Sequence, residues 1–156
     1  MESKYGNYYE DFIIGKTISH DLTKTIFESD NNLFCLLTMN HHPIHLNTEF
    51  SKQQHHGKIL VVGTLVFSLV VGMTVPDISG KAIANLEYEK ITHVAPVFIG
   101  DTISANTRIL DAYLTSNKSR GIVYVETTAL NQKNDIILIF RRKILIPIRK
   151  CLKKKN

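Results

Sequence analysis

Little in this sequence suggests a secreted, membrane-spanning or modular protein. Two cysteines occur among 156 residues, Cys35 and Cys151. Cys35 lies in the apolar run Leu33 to Leu37 and reads as a buried small hydrophobe, whereas Cys151 falls in a basic tail. No disulfide framework follows from such a pair, and a reducing, cytoplasmic setting is the expectation. Met1 to Asp11 is acidic and aromatic, with no apolar signal core. The longest apolar run, Ile59 to Val75, is interrupted by Gly63, Thr64, Ser68, Gly72 and Thr74, which makes it too short and too polar for a membrane span. The sequence contains no internal repeat, low-complexity stretch or Pro/Gly/Ser linker. It also has no Gly-rich phosphate loop and no GxSxG elbow, and Ser68 has no triad context, which disfavours a serine hydrolase.

What remains has the composition of a globular domain. The hydrophobic fraction is 44% and the charged fraction 21%. A chain of this length suits one domain, residues 1–150, with 151–156 as a basic tail, and it can bury a full core without disulfides or metals. The formal net charge is +5, partly from Arg149-Lys150 and Lys153 to Lys155, and this tail reads as a solvated end. The cations do not interleave with aromatics as a single-strand nucleic-acid surface requires, so no nucleic-acid partner is expected. A small polyanion would still gain from the positive surface.

Periodicity divides the chain. Thr17 to Ile26 alternates as an edge strand. Glu28 to Met39 reads as a helix, with Ser29 or Asp30 as its cap and Leu33, Phe34, Leu36 and Leu37 as its apolar face. Pro43 stops any continuation, and Asn47 can cap a short helix reaching about Gln54. Gly63 to Met73 is the most apolar stretch and reads as a helix buried on nearly all sides, although periodicity alone also allows a buried strand. Pro76 and Gly80 close it. Ala82 to His93, Thr102 to Tyr113, Ile122 to Leu130 and Ile136 to Ile148 are then rich in β-branched residues, with Asn131 to Asp135 joining the last two as a hairpin. Arg141-Arg142-Lys143 puts charge on at least one outward position of the last strand. One apolar helix followed by antiparallel strands makes an α+β domain, with a sheet of about five strands wrapped around the helix. A free sheet edge invites a second copy, so a dimer with a continuous sheet is expected.

Two segments can hold chemistry. In the turn Asn40-His41-His42-Pro43-Ile44-His45, Pro43 folds the chain back so that Asn40 and His45 can face one point. An imidazole there can exchange a proton near neutral pH, and the amide can orient a water or a carbonyl. His45 could equally be a hydrogen-bonded turn residue, and Asn40 a helix C-cap. The second segment is Val62-Gly63-Thr64, where unpaired backbone N–H groups open the apolar helix and Gly63 permits close approach of a ligand, or simply tight packing. Such amides can stabilise an enolate oxygen. His41, His42 and His45 hint at a metal, but Pro43 interrupts the spacing and no cysteine is close, so no metal is expected. His20 and His93 belong to no constellation and read as structural, and His55-His56 reads as a helix end or loop.

These segments resemble the MaoC-like dehydratases, relatives of the (R)-specific enoyl-CoA hydratases with the hot-dog fold. Their signature is approximately Asp-x-Asn-Pro-(Ile/Leu)-His, matched here by Asn40, His42, Pro43, Ile44 and His45. Gly63 at the helix start and Pro96-Val97-Phe98-Ile99-Gly100-Asp101-Thr102 match further. Leu36 to Asn40, Ser116 to Arg120, Asn131-Gln132 and Arg141 to Lys143 resemble the mesaconyl- and itaconyl-CoA hydratase-like subset. The resemblance runs from about Tyr8 to Lys150. Two positions depart from it: Asn40 stands where the family has a catalytic Asp, a change shared with the subset, and His42 stands where it has Asn. Asn47 also replaces the acid often found two residues after the signature His.

The resemblance implies a hydratase/dehydratase acting on a short or branched, carboxylated enoyl-CoA. His45 would activate water, Asn40 would hold that water or the carbonyl, and the amides of Gly63 and Thr64 would take the thioester oxygen. One base could suffice if its proton returns to the α-carbon. No cofactor is implied beyond coenzyme A as part of the substrate, whose phosphates a basic surface would take. The assembly implied is a homodimer, or a trimer of dimers, with the site near a subunit boundary. An acyl-CoA thioesterase and a non-catalytic acyl-CoA-binding hot-dog protein are the alternatives.

Overall fold

The computed structural model describes residues 5–149, so the basic tail and Cys151 lie outside the described residues. The elements in chain order are β1 (Thr17–Ser19), β2 (Lys24–Thr25), α1 (Glu28–Thr38), α2 (Pro43–Leu46), α3 (Thr48–Lys52), α4 (Gly63–Met73), β3 (Ala84–His93), β4 (Thr102–Leu114), β5 (Arg120–Leu130) and β6 (Ile136–Pro147). The sheet has six strands in the order β1-β4-β5-β6-β3, with the two-residue β2 also on β4, and every pairing is antiparallel. This is the expected α+β architecture.

The sheet packs one face against α4, and its central strands show why. Along β5 every second residue from Gly121 to Ala129 is buried, and β6 shows the same period. Val66, Val70 and Met73 of α4 pack into one core with Ile103, Ala105, Ala129, Leu138 and Phe140. Each fully buried aliphatic of this kind contributes about 1.5–3 kcal/mol. Phe12, Ile78, Ile109, Val123, Val125, Ile144 and Ile146 form a second core beyond the C-terminal end of α4. Cys35 is fully buried, and burial raises its thiol pKa.

Several boundaries differ from the sequence reading. The predicted edge strand Thr17–Ile26 is two short strands, because the chain breaks at His20, whose ring is buried between Asp77 Oδ2 (2.7 Å) and Thr107 Oγ1 (2.8 Å). The N-cap of α1 is Phe27 rather than Ser29 or Asp30. Asp30 sits one turn in, and its carboxylate accepts the Phe27 N–H at 2.9 Å. At the other end, the left-handed residue is Met39 (φ 58°) rather than Asn40, and the N–H groups of Met39 and Asn40 both donate to the Cys35 carbonyl. α4 ends at Met73, as expected, and Pro76 lies second in a single π-helical turn, Val75–Ser79, that stops at Gly80. α4 is not buried on nearly all sides, because Thr64, Ser68 and Gly72 are exposed along one face.

The charged triplet of β6 splits by face. Arg141 and Lys143 point outward and pair with their directly opposite neighbours Glu126 (2.6 Å) and Glu87 (2.7 Å). Arg142 points inward and is fully buried, donating to Thr74 Oγ1 (2.6 Å) and Asn85 Oδ1 (3.3 Å). Burial without a carboxylate partner lowers its pKa.

Candidate active site

The histidine turn is held from several sides. Pro43 takes the first position of α2, where its missing N–H costs nothing, and His42 Nδ1 caps the helix by accepting the Ile44 N–H at 3.2 Å. Asn47 Oδ1 caps α3 through the Phe50 N–H at 3.0 Å, as its sequence position predicts. The Ile44 carbonyl accepts both Ser51 Oγ (3.0 Å) and the Leu60 N–H (3.2 Å). These bonds leave α2 little freedom.

His45 is half-buried at the end of α2. Its Nδ1 lies 2.7 Å from the Leu60 carbonyl. A carbonyl only accepts, so Nδ1 must carry the proton. In a neutral ring Nε2 is then the atom with the free lone pair. The Leu60 backbone is itself fixed by the Ile44 carbonyl and by an antiparallel bridge to Phe98. The ring is therefore locked in one tautomer, as a general base requires.

The amides that open α4 lie beside it. The Val62 N–H is taken by Asn31 Oδ1 at 3.0 Å, and the Leu65 and Val66 N–H groups both return to the Val62 carbonyl. Those of Gly63 and Thr64 have no partner among the described residues, as the first amides of a helix must unless something caps them. His45, Leu60, Gly63, Val66, His93 and Pro96 border one open pocket of about 210 Å³. The imidazole and the helix start therefore share one space of roughly acyl-thioester size. Asn40 and Thr64 are not among the residues bordering it. Asn40 is half-buried just after the end of α1, and Thr64 is exposed.

Two residues with no site role in the sequence reading matter here. Asn31, on α1, is fully buried, and its amide bridges the two halves of the site: Nδ2 donates to the His45 carbonyl at 2.9 Å, while Oδ1 accepts the Val62 N–H. His93, read as structural, borders the pocket. A Cβ added to Gly63 would come within 3.0 Å of its Cε1 and Nε2. Gly63 thus makes room for a protein side chain as well as for any ligand. Position 31 falls on the helix face opposite the apolar stripe, and sequence gives no sign of what an isolated polar residue there touches.

A second hollow, of about 350 Å³, lies across the Leu60–Phe98 bridge and is bordered by Lys52, Lys58, Ile59 and Phe98. Lys58 Nζ sits 3.9 Å above the Phe98 ring. Among the described residues no cluster of three or more His, Cys, Asp or Glu is placed to hold a metal.

A match to the MaoC-like domain family covers residues 11–131. The chain belongs to that family. It is 33% identical over 146 residues to a mesaconyl-CoA hydratase from Cereibacter sphaeroides, covering 94% of this chain and 43% of that protein. It is 34% identical over 141 residues to a β-methylmalyl-CoA dehydratase from Chloroflexus aurantiacus, covering 90% and 40% respectively. The chain thus spans less than half the length of these relatives. A Mycobacterium tuberculosis protein whose structure is described as a double hot-dog superposes with a TM-score of 0.84 at 18% identity, covering 95% of this chain and 46% of that one. That likeness identifies the fold: this MaoC-like domain is a hot-dog, with α4 as the filling of the curled sheet.

Proposed function

We propose that this MaoC-like domain carries the chemistry of a hydratase/dehydratase, a carbon–oxygen lyase, acting on a short or branched, carboxylated enoyl-CoA thioester. The observation that supports this most is the convergence of a tautomer-locked imidazole, His45, and the open amide of Gly63, followed in the chain by that of Thr64, on one pocket. In hydration, His45 Nε2 takes a proton from water as the water oxygen bonds the β-carbon. The π-electrons shift onto the thioester oxygen, which the amides hold as an enolate. The enolate then takes a proton at its α-carbon and the thioester is restored. Asn40, half-buried just after α1, would orient the water or the carbonyl without exchanging a proton. The branched, carboxylated acyl group follows from the names of the relatives.

The hollow around Lys58 and Phe98 suits the coenzyme A phosphates and adenine, since a cation beside an aromatic face offers charge and stacking together. Assembly as a homodimer fits the sheet. β3 pairs with β6 alone among the described residues, and it exposes Leu86 and Ile91 at its edge. The buried free thiol of Cys35 suits a cytoplasmic, reducing compartment.

The test is a spectrophotometric screen of crotonyl-, mesaconyl- and itaconyl-CoA, with a thiol-reactive dye in parallel. Loss of enoyl absorbance without thiol release supports hydration. Thiol release identifies a thioesterase, and binding without turnover a carrier; either outcome sets the proposal aside.

A further inference from the structure

The pocket contains a second imidazole, and the backbone deforms to put it there. Tyr88 of β3 pairs with Arg142 and packs against Phe67 and Phe140 on the helix side of the sheet. In an unbroken strand, residues of odd number would then face away from α4. His93 is odd-numbered, yet it pairs with the buried Leu138, borders the pocket and lies against Gly63. The parity changes because one extra residue is inserted between Glu89 and Thr92, opposite Arg141 to Ile139, and Lys90 adopts a left-handed φ of 52° there. A lysine in that region is strained, and bulges of this kind re-aim side chains. The His93 ring makes no hydrogen bond among the described residues, so both nitrogens are free for a ligand.

Among the described residues no carboxylate borders this pocket, and His45 Nδ1 is committed to Leu60. Hydration moves two protons, one off water and one onto the α-carbon. We infer that His93 is a second catalytic residue, the acid that protonates the α-carbon in hydration and the base that removes the α-proton in dehydration. This rests on the hydratase reading above and assigns the step which that reading leaves open. In hydration, His45 Nε2 takes the water proton while the C–O bond forms. The enolate electron pair then takes a proton from His93 Nε2–H, forming the α C–H bond. His45 returns its proton to solvent and His93 regains one, so that the net change is addition of one water. Gly63 has a further role in this scheme, because any side chain there would press on the imidazole whose position matters.

Exchange of the α-protons of a saturated thioester isolates this step, because no C–O bond forms or breaks. The full-length protein, His93→Gln, His93→Phe and His45→Ala would be incubated with butyryl-CoA in D₂O and followed by NMR, alongside hydration of the best enoyl-CoA. His93→Phe keeps a ring against Gly63 with no proton to give. The expected result is exchange by the wild type and by His45→Ala within about threefold of each other. Both His93 variants should be slower by ~10²-fold or more, with matching losses in kcat for hydration, an unchanged melting temperature and KM within about threefold. Exchange that persists in both His93 variants, that disappears only in His45→Ala, or that is absent from a wild type able to hydrate overturns the role of His93 and leaves the hydratase reading standing. A wild type that hydrates no enoyl-CoA overturns both.

Discussion

His45 shows how far one side chain can be read. Its place after Pro43 and its likeness to a known signature mark it in the sequence, but only coordinates show Nδ1 tied to the Leu60 carbonyl and Nε2 left free. His45→Ala is expected to fold normally and to lose ~10²–10⁴-fold of its hydration rate, with kcat falling more than KM changes. A loss smaller than about threefold in steady-state assays would exclude the role. Other residues were not legible in the sequence. Asn40 looked like a partner of His45 because they lie five positions apart around a proline. The structure puts the left-handed turn at Met39, with Asn40 half-buried after it. His93 gave no signal because its face depends on a bulge, and a bulge centred on lysine has no composition of its own.

Among the elements, α1 and α4 do more for the site than their apolar faces suggest. The span Gly63–Met73 was readable to the residue, because apolar density and a glycine at the start both mark it. The link between the two helices was not, because Asn31 is a single polar residue whose partners lie 14 and 31 positions away. Its amide satisfies a buried acceptor and a buried donor together. Asn31→Ala would orphan both, and it is expected to cost about 2–4 kcal/mol in denaturant unfolding and to lower kcat more than it changes KM. Asn31→Asp should be no milder, since a carboxylate cannot donate to the His45 carbonyl.

The start of α1 adds a pH-dependent term. A hydrogen bond from Lys24, followed by one from the Phe27 N–H, lowers the pKa of the Asp30 carboxyl. A carboxyl whose pKa falls on folding stabilises the fold above its unfolded value, near 3.9, and that contribution disappears as pH drops through the folded value. Asp30→Asn should therefore melt below the wild type at pH 7, and the gap should close in acid. An equal gap at pH 7 and pH 2.5 by thermal melting would contradict this.

At the scale of the molecule, the strand order could be anticipated only in outline. Four long β-branched stretches announce a sheet and Thr17–Ile26 reads as one edge, which β1 takes, but that β3 forms the other depends on contacts far apart in sequence. That edge, β3, exposes Leu86 and Ile91, and α1 exposes Leu36 and Leu37, with Met39 just after it exposed at 82%. So much uncovered apolar surface calls for a partner. Sedimentation should show a dimer for the wild type, and Leu86→Glu with Ile91→Glu should give a folded monomer of reduced activity. A wild type that sediments as a monomer at micromolar concentration contradicts the assembly.

The central claim is that His45 and the start of α4 enclose one thioester. The most direct measurement is a crystal structure with a non-reacting saturated acyl-CoA bound. The account predicts a thioester oxygen within about 2.7–3.1 Å of the Gly63 or Thr64 amide, with His45 Nε2 one water away from the β-carbon. An acyl group seated elsewhere, for example in the apolar pocket between Leu33, Leu37 and Leu69, with no atom near His45, would contradict it.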